Sequence, residues 1–158
     1  MATLYRDASP ETVSTTVTAP KSYTFTSTSL ASLVPTADRD DATSLSLLST
    51  SDHVLLCISF SRSEDAIVLK RYIPTASAWA KEIRLSGLER ALGYKATEAT
   101  IKVAVYDSTH WQVFVNSNYL ATITHDAGSD SSTVHKASYT TINGQSSLFS
   151  DPVTLVVA

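Results

Sequence analysis

The stretch from Asp52 to Arg84 constrains the fold more than any other feature, and its first part alternates in the manner of a strand. Val54, Leu56, Ile58 and Phe60 share one parity, and Leu55, Cys57, Ser59 and Ser61 share the other. An extended strand sends these two sets to opposite faces, so one face is core and the other partly polar. After the turn-like run Ser61, Arg62, Ser63, Glu64, Asp65 comes a second extended segment. In it Ala66, Val68, Lys70 and Tyr72 lie opposite Ile67, Leu69 and Arg71. A third segment carries Trp79, Glu82 and Arg84, with both charges on one face and Ile83 on the other. Three such runs, if adjacent in one sheet, combine their polar faces into a single shallow site.

The remainder reads as further strands. Residues 11–18 and 22–29 are rich in Thr, Val, Tyr and Phe, and the break at Pro20 makes them expected partners. Residues 34–41 form a polar, turn-prone loop whose Arg39 could overhang the site, and 43–50 resume the extended pattern. Leu88 to Leu92 fit one helical turn, bracketed by Gly87 and Gly93. Residues 99–106, 111–116 and 119–124 read as a meander, and 133–141 and 152–157 supply two more strands. About ten short strands at this spacing imply an all-β antiparallel sandwich or barrel.

The 158 residues fit a single domain with a sizeable core, and 43% hydrophobic with 17% charged is a globular composition. A formal charge of −3 argues against a nucleic-acid partner, which calls for a basic surface. The lone cysteine, Cys57, excludes an intrachain disulfide and reads as a buried, inert thiol in an apolar strand. No run approaches the ~18 apolar residues of a membrane span, and the first residues lack the apolar core of a signal peptide. The expected product is soluble, either intracellular or exported without a signal peptide.

Catalytic patterns are sparse. The chain has no G-x-S-x-G, P-loop or G-x-G-x-x-G run, and its four glycines leave little backbone to cradle phosphate. His53, His110, His125 and His135 have no metal-ligand spacing and read as surface or strand-edge residues. Asp38, Asp40 and Asp41 make half a calcium loop but lack its glycine and closing glutamate. Glu64, Asp65 and Glu82 each have a cation close by in sequence, which keeps them ionised rather than poised as proton donors. No enzyme, metal or cofactor is expected.

The runs LLCISFSRSEDAIVLKR (residues 55–71), W-x-x-E-x-R (Trp79, Glu82, Arg84), IKVAVYDSTHWQVFVN (101–116) and SLFSDPVTLVV (147–157) together resemble the galectins, in particular those of mushroom fruiting bodies. The resemblance covers about Leu45 to Val157 and implies a jelly-roll-like sandwich of two antiparallel sheets. It further implies metal-independent binding of β-galactosides, frequent homo-oligomers, export without a signal peptide and, for the mushroom members, defence against fungivores. Where the family motif places histidine, asparagine or serine, and arginine on the galactose hydroxyls, this chain has Cys57, Ser59 and Ser61, and Lys70 replaces a ligating asparagine. Trp79, Glu82 and Arg84 are kept. On the family pattern the indole stacks on a pyranose, Glu82 accepts from hydroxyls and Arg84 orients Glu82 through a charge-assisted fork.

A site that reads hydroxyls through directed hydrogen bonds loses discrimination when those partners go, so lactose binding is expected to be weak or absent. Shorter side chains at Cys57 and Ser61, with Lys70, Arg62 and Arg71 nearby, make the site roomier and more basic. The expected ligands are GlcNAc-containing, chitooligosaccharide-like or acidic glycans; the alternative is a galectin-fold interaction module that no longer reads sugar. Trp111, in a strand away from the site, is read as core.

Overall fold

The computed structural model describes residues 1–33, 42–126, 130–142 and 147–158. The loop 34–41, with Arg39 and the acidic triplet, lies outside the described residues. In chain order the strands are β1 (Ala2–Leu4), β2 (Glu11–Thr16), β3 (Lys21–Ser27), β4 (Ala42–Leu48), β5 (Val54–Ser61), β6 (Ala66–Lys70), β7 (Tyr72–Ile73), β8 (Ala78–Trp79) and β9 (Ile83–Ser86). After one helical turn, α1 (Leu88–Leu92), follow β10 (Ala99–Val105), β11 (His110–Val115), β12 (Asn118–Thr124), β13 (Thr133–Thr141) and β14 (Val153–Val157).

These strands form two antiparallel six-stranded sheets and a small ribbon. One sheet has the order β1-β14-β3-β10-β11-β12, the other β2-β13-β4-β5-β6-β9, and β7 pairs with β8. The period-two pattern explains the layering, because Leu56, Ile58 and Phe60 of β5 and Ile67 and Leu69 of β6 are buried together with Ile101, Val103, Trp111 and Val113 from the facing sheet. Each fully buried aliphatic or aromatic side chain of this kind contributes about 1.5–3 kcal/mol relative to exposure. Trp111 is 0% exposed and is core, as its sequence position implied.

Two local expectations do not hold. Strands β2 and β3 do not pair: β2 is bonded to β13, and β3 lies between β14 and β10. They face each other across the sandwich, with the Thr15 hydroxyl 2.7 Å from that of Tyr23. Alternation specifies that a strand has a core face but not whether its sequence neighbour lies beside it or opposite it. Within β5, the register passes from Leu47↔Leu56 to Leu48↔Val54, which leaves Leu55 unopposed in a bulge. The extra residue inverts the alternation, so Val54 leaves the face of Leu56 and joins that of Cys57.

Candidate functional site

Strand register assembles the polar face. Across β4, β5 and β6 one row reads Ser46, Cys57, Lys70, and the next reads Ser44, Ser59, Val68 and, on β9, Arg84. A third row places Ser61 between Ala42 and Ala66. The first two runs, as far as Lys70, and Ile83–Ser86 of the third are therefore neighbours in one sheet, whereas Tyr72 and Trp79 lie on the separate β7–β8 ribbon and Glu82 precedes β9. Over the first row opens a hollow of about 550 Å³, with Ser46, Cys57 and Lys70 at its base and Val54 beside them. Trp79, Ala80 and Glu82 close its other side. This volume is in the range of small-ligand sites.

Trp79 reaches the hollow because the chain reverses after β6. A 3-10 turn at Pro74–Ala76, with Ser77 at φ +48°, folds β8 back on β7, and the Ala80 N–H donates to the Arg71 carbonyl at 3.0 Å. Register puts Trp79 opposite Tyr72. The rings meet edge to face at 5.6 Å and 78°, and His53 packs behind Tyr72 with centroids 5.1 Å apart. His53 Nδ1 in turn lies 3.0 Å from Asp130 Oδ2. The indole is held at its edge and remains 55% exposed, so an apolar face is offered to a ligand instead of being spent on the core.

The charged groups depart from the simple pattern. Arg84 donates from Nη2 to Glu64 Oε1 at 2.7 Å, whereas its approach to Glu82 is 3.9 Å. The guanidinium is thus claimed by the β5–β6 turn, and Glu82 is not held in a fork. Arg62 does not add charge to the hollow: it is 4% exposed and its Nη1 donates to the Ser32 carbonyl at 3.2 Å. Arg71 points toward the β12–β13 connection, where Asp126 lies 3.4 Å away. Of the cations expected to make the site basic, Lys70 alone lines the hollow.

Two of the serines are engaged internally. Ser59 accepts from the Ser44 hydroxyl at 3.0 Å, and buried Ser61 accepts from the Glu64 backbone N–H at 3.2 Å, closing the β5–β6 turn. Cys57 is half-buried in the hollow rather than an interior thiol, because it sits on the outer face of β5. Asp65 is tied to α1 through the Leu88 N–H at 2.9 Å. His125 is also not a surface residue. It is 3% exposed and packs edge to face on Trp111 at 4.3 Å. Burial and then the nearby Arg71 charge push its pKa down to about 4.

Sequence reasoning missed Ser46, Val54 and Ala80 in the hollow, Tyr72 behind the indole and Glu64 on Arg84. The parity that put Tyr72 with Lys70 was a usable signal for Tyr72; the others depend on cross-strand register. Among the described residues no group of three or more His, Cys, Asp or Glu side chains could hold a metal ion. As it stands the hollow offers an exposed apolar ring face, a carboxylate acceptor, an ammonium donor and a thiol and hydroxyl at its base.

No protein-family model matches the chain, and no curated protein sequence matches it. Solved structures do. Sheep galectin-11, in a complex with glycerol, superposes with a TM-score of 0.63 at 13% identity, covering 96% of this chain and 98% of that one. Caenorhabditis elegans galectin LEC-6 gives 0.58 at 14% identity, covering 98% and 95%. The fold is that of the galectins. The likeness extends over almost the whole of both chains, so the galectin fold accounts for both sheets and not only for the strands that carry the hollow.

Proposed function

We propose that residues 1–158 form one galectin-type carbohydrate-recognition domain that binds glycans without a metal and whose specificity has moved away from lactose. The observation that carries this reading is the exposed Trp79 indole standing over the same hollow as Lys70 and Glu82. An aromatic face beside one acceptor and one donor suits a pyranose, whose C–H face is apolar and whose rim is hydroxyl. GlcNAc-containing or chitooligosaccharide-like chains and acidic glycans fit the roomier base left by Cys57 and the ammonium of Lys70. A role in fungal defence, exercised as a homo-oligomer, accompanies this reading.

The second reading, a galectin-fold interaction module that no longer binds sugar, is favoured by the internal bonds of Ser59 and Ser61. A glycan array separates the two. Saturable binding that disappears in Trp79→Ala supports the lectin, and a blank array from a folded protein supports the module. Lactose binding as tight as that of any other glycan would contradict the shift in specificity.

A further inference from the structure

The hollow beneath Trp79 does not end at Lys70. Lys70 and Ala80 also border a second cavity, of about 280 Å³, which Lys81 lines and Trp79 does not. This cavity lies at the open edge of the sandwich, where β9 ends one sheet and β12 ends the other. Its polar lining is Lys70, Arg71, Lys81, Thr122 and Thr124, and among the described residues no carboxylate lines it. Asp126 partly neutralises Arg71 from 3.4 Å. Lys70 and Lys81 make no ion pair among the described residues. In a chain of net charge −3, two ammonium groups with no ion-pair partner among the described residues, one guanidinium and the two threonines around one small space, the Thr122 hydroxyl being bonded to that of Tyr119, form a local positive site.

We infer that this second cavity is an anion subsite, which takes the sulfate or carboxylate group of a glycan whose neutral ring stands against Trp79. The inference rests on the lectin reading above. Its geometric basis is that Lys70 and Ala80 border both spaces, so that a substituent leaving the ring on the Lys70 side enters a cavity that Arg71 and Lys81 also line. An oxyanion there gains charge-assisted hydrogen bonds from both ammonium groups, which a neutral hydroxyl cannot match. Glu82 lines only the first hollow, so no carboxylate among the described residues takes up the donors of the second.

The test is calorimetric titration of three probes: chitotriose, its mono-6-sulfated form and a hyaluronan tetrasaccharide, the last two separating sulfate from carboxylate. At least one anionic probe is expected to bind about tenfold more tightly than chitotriose at low salt. The advantage should shrink as salt rises from roughly 0.05 to 0.5 M. Lys81→Glu should abolish it, with Lys81→Gln intermediate, while chitotriose affinity and thermal unfolding stay as in the wild type. Equal affinity for neutral and anionic probes, or an advantage that survives Lys81→Glu, would overturn the inference and leave the lectin reading standing. Anionic binding that survives Trp79→Ala would also overturn it, because the ring would not then be where the subsite requires. If none of the probes binds, the lectin reading falls and the subsite with it.

Discussion

The Arg84 guanidinium lies 2.7 Å from Glu64 and 3.9 Å from Glu82. The shorter contact belongs to a residue outside the hollow, and it leaves the Glu82 carboxylate open to a ligand. As an exposed pair it adds at most ~1 kcal/mol to stability, so its significance lies in where it holds the charge. Glu64→Gln should therefore release Arg84 to swing onto Glu82 and compete with sugar hydroxyls. A loss of glycan affinity of about threefold to tenfold, with unfolding unchanged within ~0.5 kcal/mol, is the expected result of titration and urea denaturation. Unchanged affinity would show that Arg84 has no influence on Glu82.

Tyr72 holds the indole at its edge, and its own back is covered by His53. Edge-to-face pairs of this kind are worth about 0.5–1.5 kcal/mol. Tyr72→Ala should leave Trp79 free to rotate, lowering glycan affinity up to about tenfold and lowering its fluorescence anisotropy, while Tyr72→Phe retains both. Equal behaviour of the two variants would remove Tyr72 from the site.

Acid should destabilise the fold through His125. Its pKa in the folded protein is about 4, against 6.5 for the free side chain, because the buried ring resists charge and Arg71 lies near it. Asp126 and Asp130 oppose the shift without cancelling it. Between pH 6.5 and 4 the unfolded chain therefore holds a proton that the folded chain does not, so the stabilising effect of the neutral ring, complete above pH 6.5, is lost as pH falls. The loss from this residue totals roughly 3 kcal/mol. Urea midpoints at pH 7.5, 5.5 and 4 should fall accordingly, and His125→Leu should flatten that dependence. A slope unaltered in the variant would assign it to other groups.

Gly87 enters α1 at φ +95°, where its N–H donates to the Asp65 carbonyl at 2.7 Å. A side chain there is strained whatever space surrounds it, and its Cβ would meet that of Arg90 at 3.4 Å. Gly87→Ala should cost roughly 1–2 kcal/mol in urea unfolding. A neutral effect would mean that the turn relaxes freely.

The alternation of Leu56, Ile58 and Phe60, and of Ile67 and Leu69, was enough to place these strands and their core faces, because side-chain direction is a property of a single strand. Pairing is a property of two. That is why β2 and β3 were expected side by side, and why the bulge at Leu55, which turns Val54 into the hollow, left no trace in the alternation. Lys70 and Glu82 were legible together because short connections keep β5, β6 and β9 adjacent, and Trp79 joins them because the short β7–β8 ribbon between β6 and β9 folds back on itself. The capture of Arg84 by Glu64, the burial of Arg62 against Ser32 and the edge-on support from Tyr72 depend on side-chain reach across turns, which spacing along the chain does not encode. His125 follows the same rule: its burial comes from Trp111 on a neighbouring strand.

The chain contains two tryptophans, one exposed at the hollow and one fully buried in the facing sheet, so their indole N–H resonances report on the site and on the core separately. Following both in two-dimensional NMR during titration with chitotriose and its sulfated form tests the sugar-binding role of Trp79 most directly. A saturable shift of the Trp79 resonance, with that of Trp111 stationary, is expected. Saturable binding that leaves the Trp79 resonance unmoved, or no binding of either probe at millimolar concentration, would contradict it.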